Sequence, residues 1–370
     1  MKAIQYLRTG GPEVLAFVDV PIPLLGNGQV LVNNFFAGVN FIDTYHRSGL
    51  CKISFLSSRL VLRGSFQPRQ ARHDFDIFTY EPLAEFLSIF IVSDQVPMPF
   101  IPGREGSGVI EKVGEGVTDF KVGDRVVYMS GSSYAEKVVV PAKLVYHLPP
   151  NVSFEDGVAA FLQGLTAIML VKLCHHVEPS QYILIHAAAG GTGRIIASLA
   201  RDMGAIVIGT TSTKAKAETA KAAGCHHVVL YTETDLVSEV MKITNKRGVS
   251  AVFDGVGKST FDASIACLSR LGSMISFGNA SGAVPPVELF KLSPKALRLM
   301  RPTLNTFSED EPLIRSWVDE LFTLLSHKKF TVLIHQIYPL ANAAQAQIDI
   351  TGRATEGKLL IACSKVTSRL

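Results

Sequence analysis

Cysteine and tryptophan are scarce in this sequence. Among 370 residues there are five cysteines and one tryptophan, Trp317. The cysteines stand at positions 51, 174, 225, 267 and 363 and form neither a C-x-x-C pair nor a zinc-finger spacing. This pattern excludes a disulfide framework and is typical of buried thiols in a reducing compartment.

Strong net charge and long apolar runs are also missing. The formal net charge is +4, from 36 basic and 32 acidic residues, so charge gives no reason to expect nucleic-acid binding. No run approaches the roughly 18 uncharged apolar residues that a membrane span needs. The first residues, MKAIQYLRTGGPEVL, lack the apolar centre of a signal peptide. We therefore expect a protein that neither spans a membrane nor is secreted.

Apolar material is plentiful, with 47% hydrophobic residues against 18% charged. This amount supports a large core and excludes a disordered or fibrous chain, and the length predicts two domains. Residues 1–50 and 103–148 contain short β-rich stretches separated by turn residues. They predict a barrel-like β domain over residues 1–150.

From residue 151 onward, predicted strands alternate with predicted helices. Strands such as YILIHAA and VSAVFDGV are interspersed with helices such as RIIASLARDMG and KAKAETAKAAG. The alternation predicts parallel βαβ units in a doubly wound sheet over residues 151–283. After an amphipathic helix, TVLIHQIYPL and GKLLIACS predict two strands, so we expect residues 284–370 to return to the β domain.

A glycine-rich turn, HAAAGGTG, stands between a predicted strand and a predicted helix. Aligned with the fingerprint G-x-G-x-x-G, its positions are Ala188, Gly190 and Gly193, with Gly191 in addition. Gly190 would let the backbone approach a pyrophosphate, and Gly193 would let helix and strand pack closely. This context favours a dinucleotide site; the alternative is a glycine-rich turn without a ligand.

The end of the next predicted strand indicates which dinucleotide is bound. Selection of NAD normally uses a carboxylate about 20 residues beyond the first part of the motif. Residues 209–216 contain no acidic residue and offer Thr210, Thr211, Ser212, Lys214 and Lys216. These groups would hydrogen-bond and neutralise a 2′-phosphate, which favours NADPH. The alternative is that both lysines belong to a solvated helix face.

No metal site is predicted. The β domain has one cysteine, Cys51, and neither His46 nor His147 has a partner at ligand spacing. Glu105 follows Arg104, a cation that disfavours a metal at this position. A dinucleotide-dependent oxidoreductase without a metal must polarise its acceptor by hydrogen bonds.

Six stretches carry a family likeness: GVNFIDTYHRSG (38–49), FIPGREGSGVIEKVGEGV (100–117), LQGLTA (162–167), HAAAGGTG (186–193), VFDGVG (252–257) and SFGNASG (276–282). Together they resemble the zinc-free quinone oxidoreductases, the ζ-crystallin-like branch of the medium-chain dehydrogenase/reductase superfamily. In the zinc alcohol dehydrogenases of that superfamily, a cysteine stands near the position of Asn40 and a histidine precedes the glutamate of a GHE motif. Here the positions hold Asn40 and Arg104, in agreement with a zinc-free protein.

The resemblance implies an α/β fold in which a GroES-like β-barrel and a Rossmann domain enclose a cleft for NADPH. It implies reduction of quinone-type acceptors, often one electron at a time, by a homodimer. The expected catalytic residues are Asn40 and Tyr45. The expected cofactor-binding residues are Asn40, Tyr45, Thr166, Gly190, Gly191, Thr192, Gly193, Thr210, Ser212, Lys216, Tyr231, Gly257, Phe277, Gly278 and Asn279.

Two other functions fit the same residues. One is reduction of an enone or enoyl thioester, which shares the cofactor. The other is a non-catalytic, RNA-binding or structural role like that of some crystallin-like relatives. The sequence has no RNP motif, zinc knuckle or basic run with interleaved aromatics, so nucleic acid is not indicated as a partner.

Residues 51–95 interrupt two family stretches that normally almost abut. The segment has no sustained hydrophobic period, and a loop of this length is unusual inside a compact domain. We interpret it as a translated retained intron. Cys51-Lys52 can be encoded TGTAAG, with the donor signal GTAAG, and Ser93-Asp94 can be encoded TCAGAY, with the acceptor signal CAG. Splicing would keep the frame and replace residues 51–94 by the tyrosine that family members carry here. The alternative is a genuine lineage-specific loop.

The sequence ends with Ser368, Arg369 and Leu370, which resembles the peroxisomal signal S-K-L. We expect a cytoplasmic protein with a peroxisomal fraction. The alternative is a tail without a targeting role.

Overall fold

The computed structural model describes residues 1–50, 98–307, 310–352 and 354–365. The segment interpreted as an intron, 51–95, and the tripeptide 368–370 lie outside the described residues. The insertion and the peroxisomal fraction therefore stay predictions.

The first sheet gathers strands from distant parts of the chain. An antiparallel pair, β1 (Lys2–Gln5) and β2 (Ala16–Asp19), precedes it. Its strands are β3 (Gln29–Val39), β4 (Gly106–Val113), β5 (Arg125–Tyr128), β6 (Lys137–Pro141), β7 (Val145–His147), β14 (Ile334–Pro339) and β15 (Lys358–Ala362). Within the described residues the order is β14-β15-β3-β4-β5-β7, with β6 also paired to β3. Because β15 pairs antiparallel with β3, residues beyond 350 complete the sheet that begins at residue 29.

The second sheet is parallel and doubly wound, as predicted. Its strands are β8 (Tyr182–Ile185), β9 (Ile206–Thr211), β10 (His227–Leu230), β11 (Val249–Asp254), β12 (Leu268–Ser276) and β13 (Arg298–Met300). Among the described residues they are ordered β10-β9-β8-β11-β12-β13, with every neighbouring pair parallel. The predicted boundary at residue 283 is wrong, because β13 lies beyond it. A three-residue edge strand is too short to show a pattern in the sequence.

The helices pack on the two sheets. They are α1 (Phe41–Ser48), α2 (Phe154–Met169), α3 (Gly191–Asp202), α4 (Lys214–Ala222), α5 (Leu236–Ile243), α6 (Phe261–Cys267), α7 (Leu304–Phe307), α8 (Glu311–Ser326) and α9 (Ala343–Thr351). Short 3₁₀ segments occupy Pro12–Val14, Ala142–Leu144, Leu289–Lys295 and Leu340–Asn342. Helix α3 contributes to a different apolar cluster from α5 and α6, so helices cover both faces of the parallel sheet.

Helix α2 is the central element of the core. The Ser153 hydroxyl accepts a hydrogen bond from the Asp156 amide at 3.0 Å and caps its first turn, and a π-helical turn, Leu170–Cys174, extends its end. By length and composition Phe154–Cys174 could cross a membrane, although Asp156 and Lys172 limit its uncharged run to fewer than 18 residues. However, 72% of its most apolar window is buried inside the protein, so we assign it as a core helix.

One apolar cluster joins the two sheets. It includes Val127 of β5 and Tyr146 of β7 from the first sheet, and Ile183 of β8 from the second. Helix α2 and the buried face of α8, with Trp317, belong to the same cluster. The two sheets therefore share a continuous core and do not simply touch at a polar interface.

Candidate functional site

The glycine-rich turn joins β8 to α3. Gly190 caps α3, and its amide donates to the Ala187 carbonyl at 2.9 Å. A Cβ added at Gly193 would lie 2.5 Å from that same carbonyl oxygen, so a glycine is required for α3 to approach β8 this closely. The predicted residues Gly190, Gly191, Thr192 and Gly193 thus stand at a helix N-terminus, where unpaired N–H groups and the helix dipole favour an anion.

The turn lies at the switch point of the parallel sheet. Strands β8 and β11 are neighbours, and the strand order runs outward from them in opposite directions. In doubly wound sheets, ligands bind in the crevice at the carboxyl ends of the strands at this point. Gly257 follows β11 and residues 277–279 follow β12, so these predicted residues border the same crevice.

The loops after β11 and β12 touch because two glycines allow it. A Cβ on Gly278 would overlap the carbonyl oxygen of Gly255. Gly257 has φ +90° and donates its amide to Asp254 Oδ1 at 3.0 Å. Phe277 donates its own amide to the Asp254 carbonyl at 2.8 Å. The loops are thereby fixed to each other on the crevice wall.

Tyr45 reaches this crevice from the first sheet. It lies on α1, is half-buried, and its hydroxyl accepts a hydrogen bond from the Asn279 amide at 3.1 Å. Asn279, with its amide oxygen turned toward Arg301, also accepts from the Arg301 guanidinium at 3.1 Å. The structure therefore brings the predicted residues Tyr45 and Asn279 into direct contact across the two sheets.

Ser212, Lys216 and Tyr231 lie where the adjacent strands β9 and β10 end. Thr213 caps α4, and its hydroxyl accepts from the Lys216 amide at 3.3 Å. The Thr232 hydroxyl donates to the Ser212 carbonyl at 3.0 Å and ties the two loops together. These three predicted residues form one edge beside the crevice, with half of Tyr231 exposed to solvent. We call Ser212, Lys216 and Tyr231 the adenosine edge.

Thr210 does not belong to the adenosine edge. Its side chain is 1% exposed, and its hydroxyl lies 3.0 Å from His186 Nδ1. This hydroxyl therefore faces the interior in this structure, and the predicted cofactor contact of Thr210 stays a prediction. Thr166 donates its hydroxyl to the Leu162 carbonyl within α2, at 2.7 Å, and its contact with a cofactor stays a prediction.

Asn40 caps α1 and is buried at the centre of a polar network. Its Nδ2 donates to the Gly38 carbonyl at 3.2 Å and to Glu105 Oε1 at 2.9 Å. Its Oδ1 accepts from Gln163 Nε2 at 2.7 Å and from Lys358 Nζ at 2.8 Å. These bonds use both donors and both lone pairs of the amide. A ligand could bind the Asn40 side chain only by displacing one of its four partners.

Sequence analysis missed Gln163 and Lys358, and the cation that contacts Glu105 is Lys358 and not its sequence neighbour Arg104. Lys358 Nζ lies 2.7 Å from Glu105 Oε1, with the two side chains 4% and 0% exposed. Arg104 points elsewhere and donates to Asn305 Oδ1 at 3.1 Å. The one signal for Lys358 in the sequence is its position directly before the apolar strand residues LLIA, and this signal does not reveal a partner.

The segment 356–358 connects the first sheet to the glycine-rich turn. The Gly357 amide donates to the Ala189 carbonyl at 3.2 Å, and Gly357 forms a bridge with Gly190. Glu356 accepts a hydrogen bond from the Thr219 hydroxyl of α4 at 2.6 Å. Lys358 then enters the network around Asn40. We call residues 356–358 the connecting segment.

Two titratable side chains of α1 are shifted by burial. Asp43 Oδ2 accepts from the Asn40 amide and from the Tyr134 hydroxyl, each at 2.9 Å. Burial outweighs these hydrogen bonds and raises the pKa of Asp43 to about 6. Burial, together with the charge of Arg104, lowers the pKa of His46 to about 4. At neutral pH helix α1 therefore carries an ionised Asp43 and a neutral His46.

Two family models match the sequence. The model described as "Zinc-binding dehydrogenase" matches residues 191–320, and "Alcohol dehydrogenase GroES-like domain" matches residues 73–150. The second match begins inside the segment 51–95, whose interpretation as an insertion stays a prediction. Both descriptions agree with the two sheets observed here.

Individual relatives match over nearly the whole chain. The quinone oxidoreductase of Pseudomonas aeruginosa is 34% identical over 366 residues, which cover 97% of this chain and 99% of the relative. The 2-haloacrylate reductase of a Burkholderia species is 34% identical, with 96% of each chain covered. The structure of Escherichia coli quinone oxidoreductase complexed with NADPH aligns with a TM-score of 0.84 at 34% identity, covering 98% of this chain and 100% of the other.

The fold and the crevice define a two-domain oxidoreductase, with a GroES-like barrel facing a Rossmann sheet. Within that class, the chain belongs to the quinone oxidoreductase family of the medium-chain dehydrogenase/reductase superfamily.

Proposed function

We propose that this chain is an NADPH-dependent reductase of quinone-type acceptors that works without a metal. The proposal rests on one observation. The glycine-rich turn, the adenosine edge and Tyr45 lie along one crevice at the carboxyl end of the parallel sheet. The likeness to a quinone oxidoreductase complexed with NADPH supports it.

The residues in the crevice fit NADPH. The N-terminus of α3 would hold the pyrophosphate, and Gly193 lets α3 pack closely against β8 so that this N-terminus stands at the crevice. Ser212 and Lys216 would hold the 2′-phosphate, since residues 209–216 contain no carboxylate to repel it. The nicotinamide end would lie toward Tyr45. When bound, NADPH supplies the reducing equivalents.

Tyr45 is the residue that we assign to the acceptor. An acceptor oxygen gains negative charge as it is reduced, and an oriented hydrogen-bonding group stabilises that charge. The Asn279 amide holds the Tyr45 hydroxyl from the Rossmann side, and α1 holds it from the barrel side. Asn40, whose amide is fully used by protein partners, supports α1 and does not serve as the acceptor's ligand.

Glu105 supports the metal-free part of the proposal. One of its carboxylate oxygens meets Lys358, and the other accepts from the Leu162 amide at 2.9 Å. A cation would have to displace Lys358 to reach this carboxylate. Across the part of the chain that the structure describes, no group of three or more His, Cys, Asp or Glu residues converges as a metal site would.

The test of the function is steady-state oxidation of NADPH and NADH with a panel of quinones. NADPH should have the lower KM, and activity should survive a metal chelator. Lys216→Ala should raise the KM for NADPH by a factor that corresponds to about 1–3 kcal/mol, because it removes a charge-assisted hydrogen bond, and should leave the KM for NADH nearly unchanged. Lys221→Ala, which changes an exposed lysine in the last turn of the same helix, is the matched control. Equal KM values for the two cofactors would contradict the proposal.

Reduction of an activated alkene is the second candidate, and the likeness to a 2-haloacrylate reductase favours it. It would use the same crevice and cofactor with a different acceptor. Including 2-haloacrylates and enals in the acceptor panel separates the two, because a reductase of this second kind would turn over the alkenes faster than the quinones.

We also propose that the protein forms a homodimer through the edge of the parallel sheet. Strand β13 lies at that edge, and Leu289 and Phe290 nearby are 78% and 87% exposed. An open strand edge beside apolar side chains is a surface that a second copy can cover through a twofold axis. Phe290→Ser should shift the protein toward monomer in sedimentation velocity. Leu24→Ser, which changes a leucine that is 94% exposed on the barrel side, should leave the oligomeric state unaltered.

A further inference from the structure

The buried ion pair between Lys358 and Glu105 belongs to the polar network around Asn40, next to the contact between Gly357 and the glycine-rich turn. Its two charges are 2.7 Å apart and almost completely removed from solvent. Removing two charges from water costs free energy that their attraction often only balances, so such pairs contribute little net stability compared with apolar residues of similar volume. Stability alone therefore does not account for this pair.

The pair encloses the amide of Asn40. Lys358 donates to its oxygen at 2.8 Å, and Glu105 accepts from its nitrogen at 2.9 Å. Hydrogen bonds to charged groups are shorter and stronger than neutral ones, so the two ends of the Asn40 amide are held in one orientation. Asn40 is the N-cap of α1, whose Tyr45 reaches the crevice five residues further on.

Gln163 extends the same network to the glycine-rich turn. It donates to Asn40 Oδ1, and its Cγ lies 3.4 Å from the position that a Cβ on Gly191 would take. On the opposite side, the connecting segment binds the turn through Gly357 and supplies Lys358. Asn40 is thus linked to the turn by two routes, one through α2 and one through the connecting segment.

We propose that Lys358 and Glu105 are positioning residues that act through Asn40. Together they fix the N-terminus of α1, and with it Tyr45, against the dinucleotide turn. This inference rests on the proposed function, because it concerns the same crevice. The groups that would hold the phosphates, the α3 N-terminus and the adenosine edge, do not depend on the pair. Its removal should therefore lower turnover much more than it weakens NADPH binding.

The principal test compares Lys358→Met/Glu105→Gln with the wild type. The double variant removes both charges, so neither is left buried without its partner. Its kcat with NADPH and a quinone should fall about 10- to 100-fold, the scale of a misplaced reacting group, while its Kd for NADPH stays within about threefold. Lys137→Met is the matched control, since Lys137 pairs with Glu111 at 2.6 Å in the same sheet but is partly exposed. It should keep the kcat of the wild type.

A second measurement needs no cofactor. Hydrogen exchange of the α1 backbone amides, residues 41–48, should be about tenfold faster in the double variant than in the wild type, and unchanged in Lys137→Met. A structural role spread through the whole barrel would instead accelerate exchange in β3 and β4 as well.

Several results would overturn the inference. A double variant with the kcat and α1 exchange of the wild type would do so, and so would a Kd that rises as much as kcat falls. If the double variant does not fold, the same measurements are made on Gln163→Leu. This change removes another hydrogen-bond donor to Asn40 and leaves no buried charge without a partner. Unchanged kcat and unchanged α1 exchange in Gln163→Leu would then refute the proposal. A wild type without turnover would refute the proposed function, and the exchange measurement would still test the positioning role.

Discussion

At the scale of single residues, Asp43 and His46 show one physical cause acting in opposite directions. Burial disfavours the charged form of each side chain, so it raises the pKa of the acid from 3.8 to about 6 and lowers the pKa of the base from 6.5 to about 4. The contribution of Asp43 to stability is complete below pH 3.8 and is lost as the pH rises through 6. The contribution of His46 is complete above pH 6.5 and is lost as the pH falls through 4.

The two contributions should nearly cancel in the wild type between pH 4 and 6. Each pKa shift corresponds to about 3 kcal/mol at most. Asp43→Asn should leave the His46 contribution alone, so that the free energy of unfolding falls as the pH is lowered from 6.5 to 4. His46→Gln should show the reverse, with the free energy of unfolding falling as the pH is raised from 4 to 6. Urea unfolding followed by Trp317 fluorescence at several pH values measures both slopes, and slopes of the same sign in the two variants would contradict this account.

Local patterns in the sequence identified some site residues and could not identify others. Gly190, Gly193 and Lys216 belong to motifs of a few consecutive residues, and the residue types within each motif indicate what it would bind. The partners Glu105 and Lys358 are 253 positions apart, and nothing near either residue indicates the other. Thr210 is the opposite case, a residue of suitable chemistry whose side chain is turned inward by the strand that carries it.

At the scale of elements, the close packing of α3 against β8 depends on one residue, Gly193. Gly193→Ala would press a Cβ against the backbone carbonyl of Ala187, which cannot rotate away as a side chain could. We expect a loss of about 1–3 kcal/mol in the free energy of unfolding, the usual cost of overpacking.

Gly191→Ala is the control for this prediction. The nearest atom to its added Cβ would be Gln163 Cγ at 3.4 Å, an ordinary contact, so the free energy of unfolding should change by no more than about 0.5 kcal/mol. Denaturant unfolding of both variants makes the comparison. Equal losses would mean that the glycines matter for the flexibility of the turn and not for the packing of α3.

Elements with a clear period were predictable, and those without one were not. The strands of the parallel sheet from β8 to β12 appear in the sequence as apolar runs separated by amphipathic helices. Strand β13 has three residues at an edge, and the sequence gives no signal for it. The role of helix α2 as the core shared by both sheets depends on contacts with distant residues such as Trp317.

At the scale of the whole molecule, the main prediction concerns the segment 51–94. If it is a translated intron, replacing it with a single tyrosine restores a residue that family members carry at the cleft. The shortened variant should then have a higher kcat/KM than the 370-residue chain in the NADPH and quinone assay. Equal activity of the two forms, or transcripts in which codons 51–94 dominate, would contradict the interpretation. NADPH affinity at the adenosine edge serves as the internal control, because Ser212 and Lys216 are present in both forms.

The pairing of β3 with β15 also determines the order in which a nascent chain can fold. The strands of the parallel sheet follow one another from residue 182 to residue 300, so that sheet can assemble as soon as this part leaves the ribosome. Strand β3 is synthesised much earlier. Strand β6 covers one half of its edge opposite β4, but residues 36–39 on that edge have no neighbour until residues 358–362 emerge. An exposed strand edge is a site for aggregation. During most of its synthesis, therefore, the barrel is the part of this protein that a chaperone would need to protect.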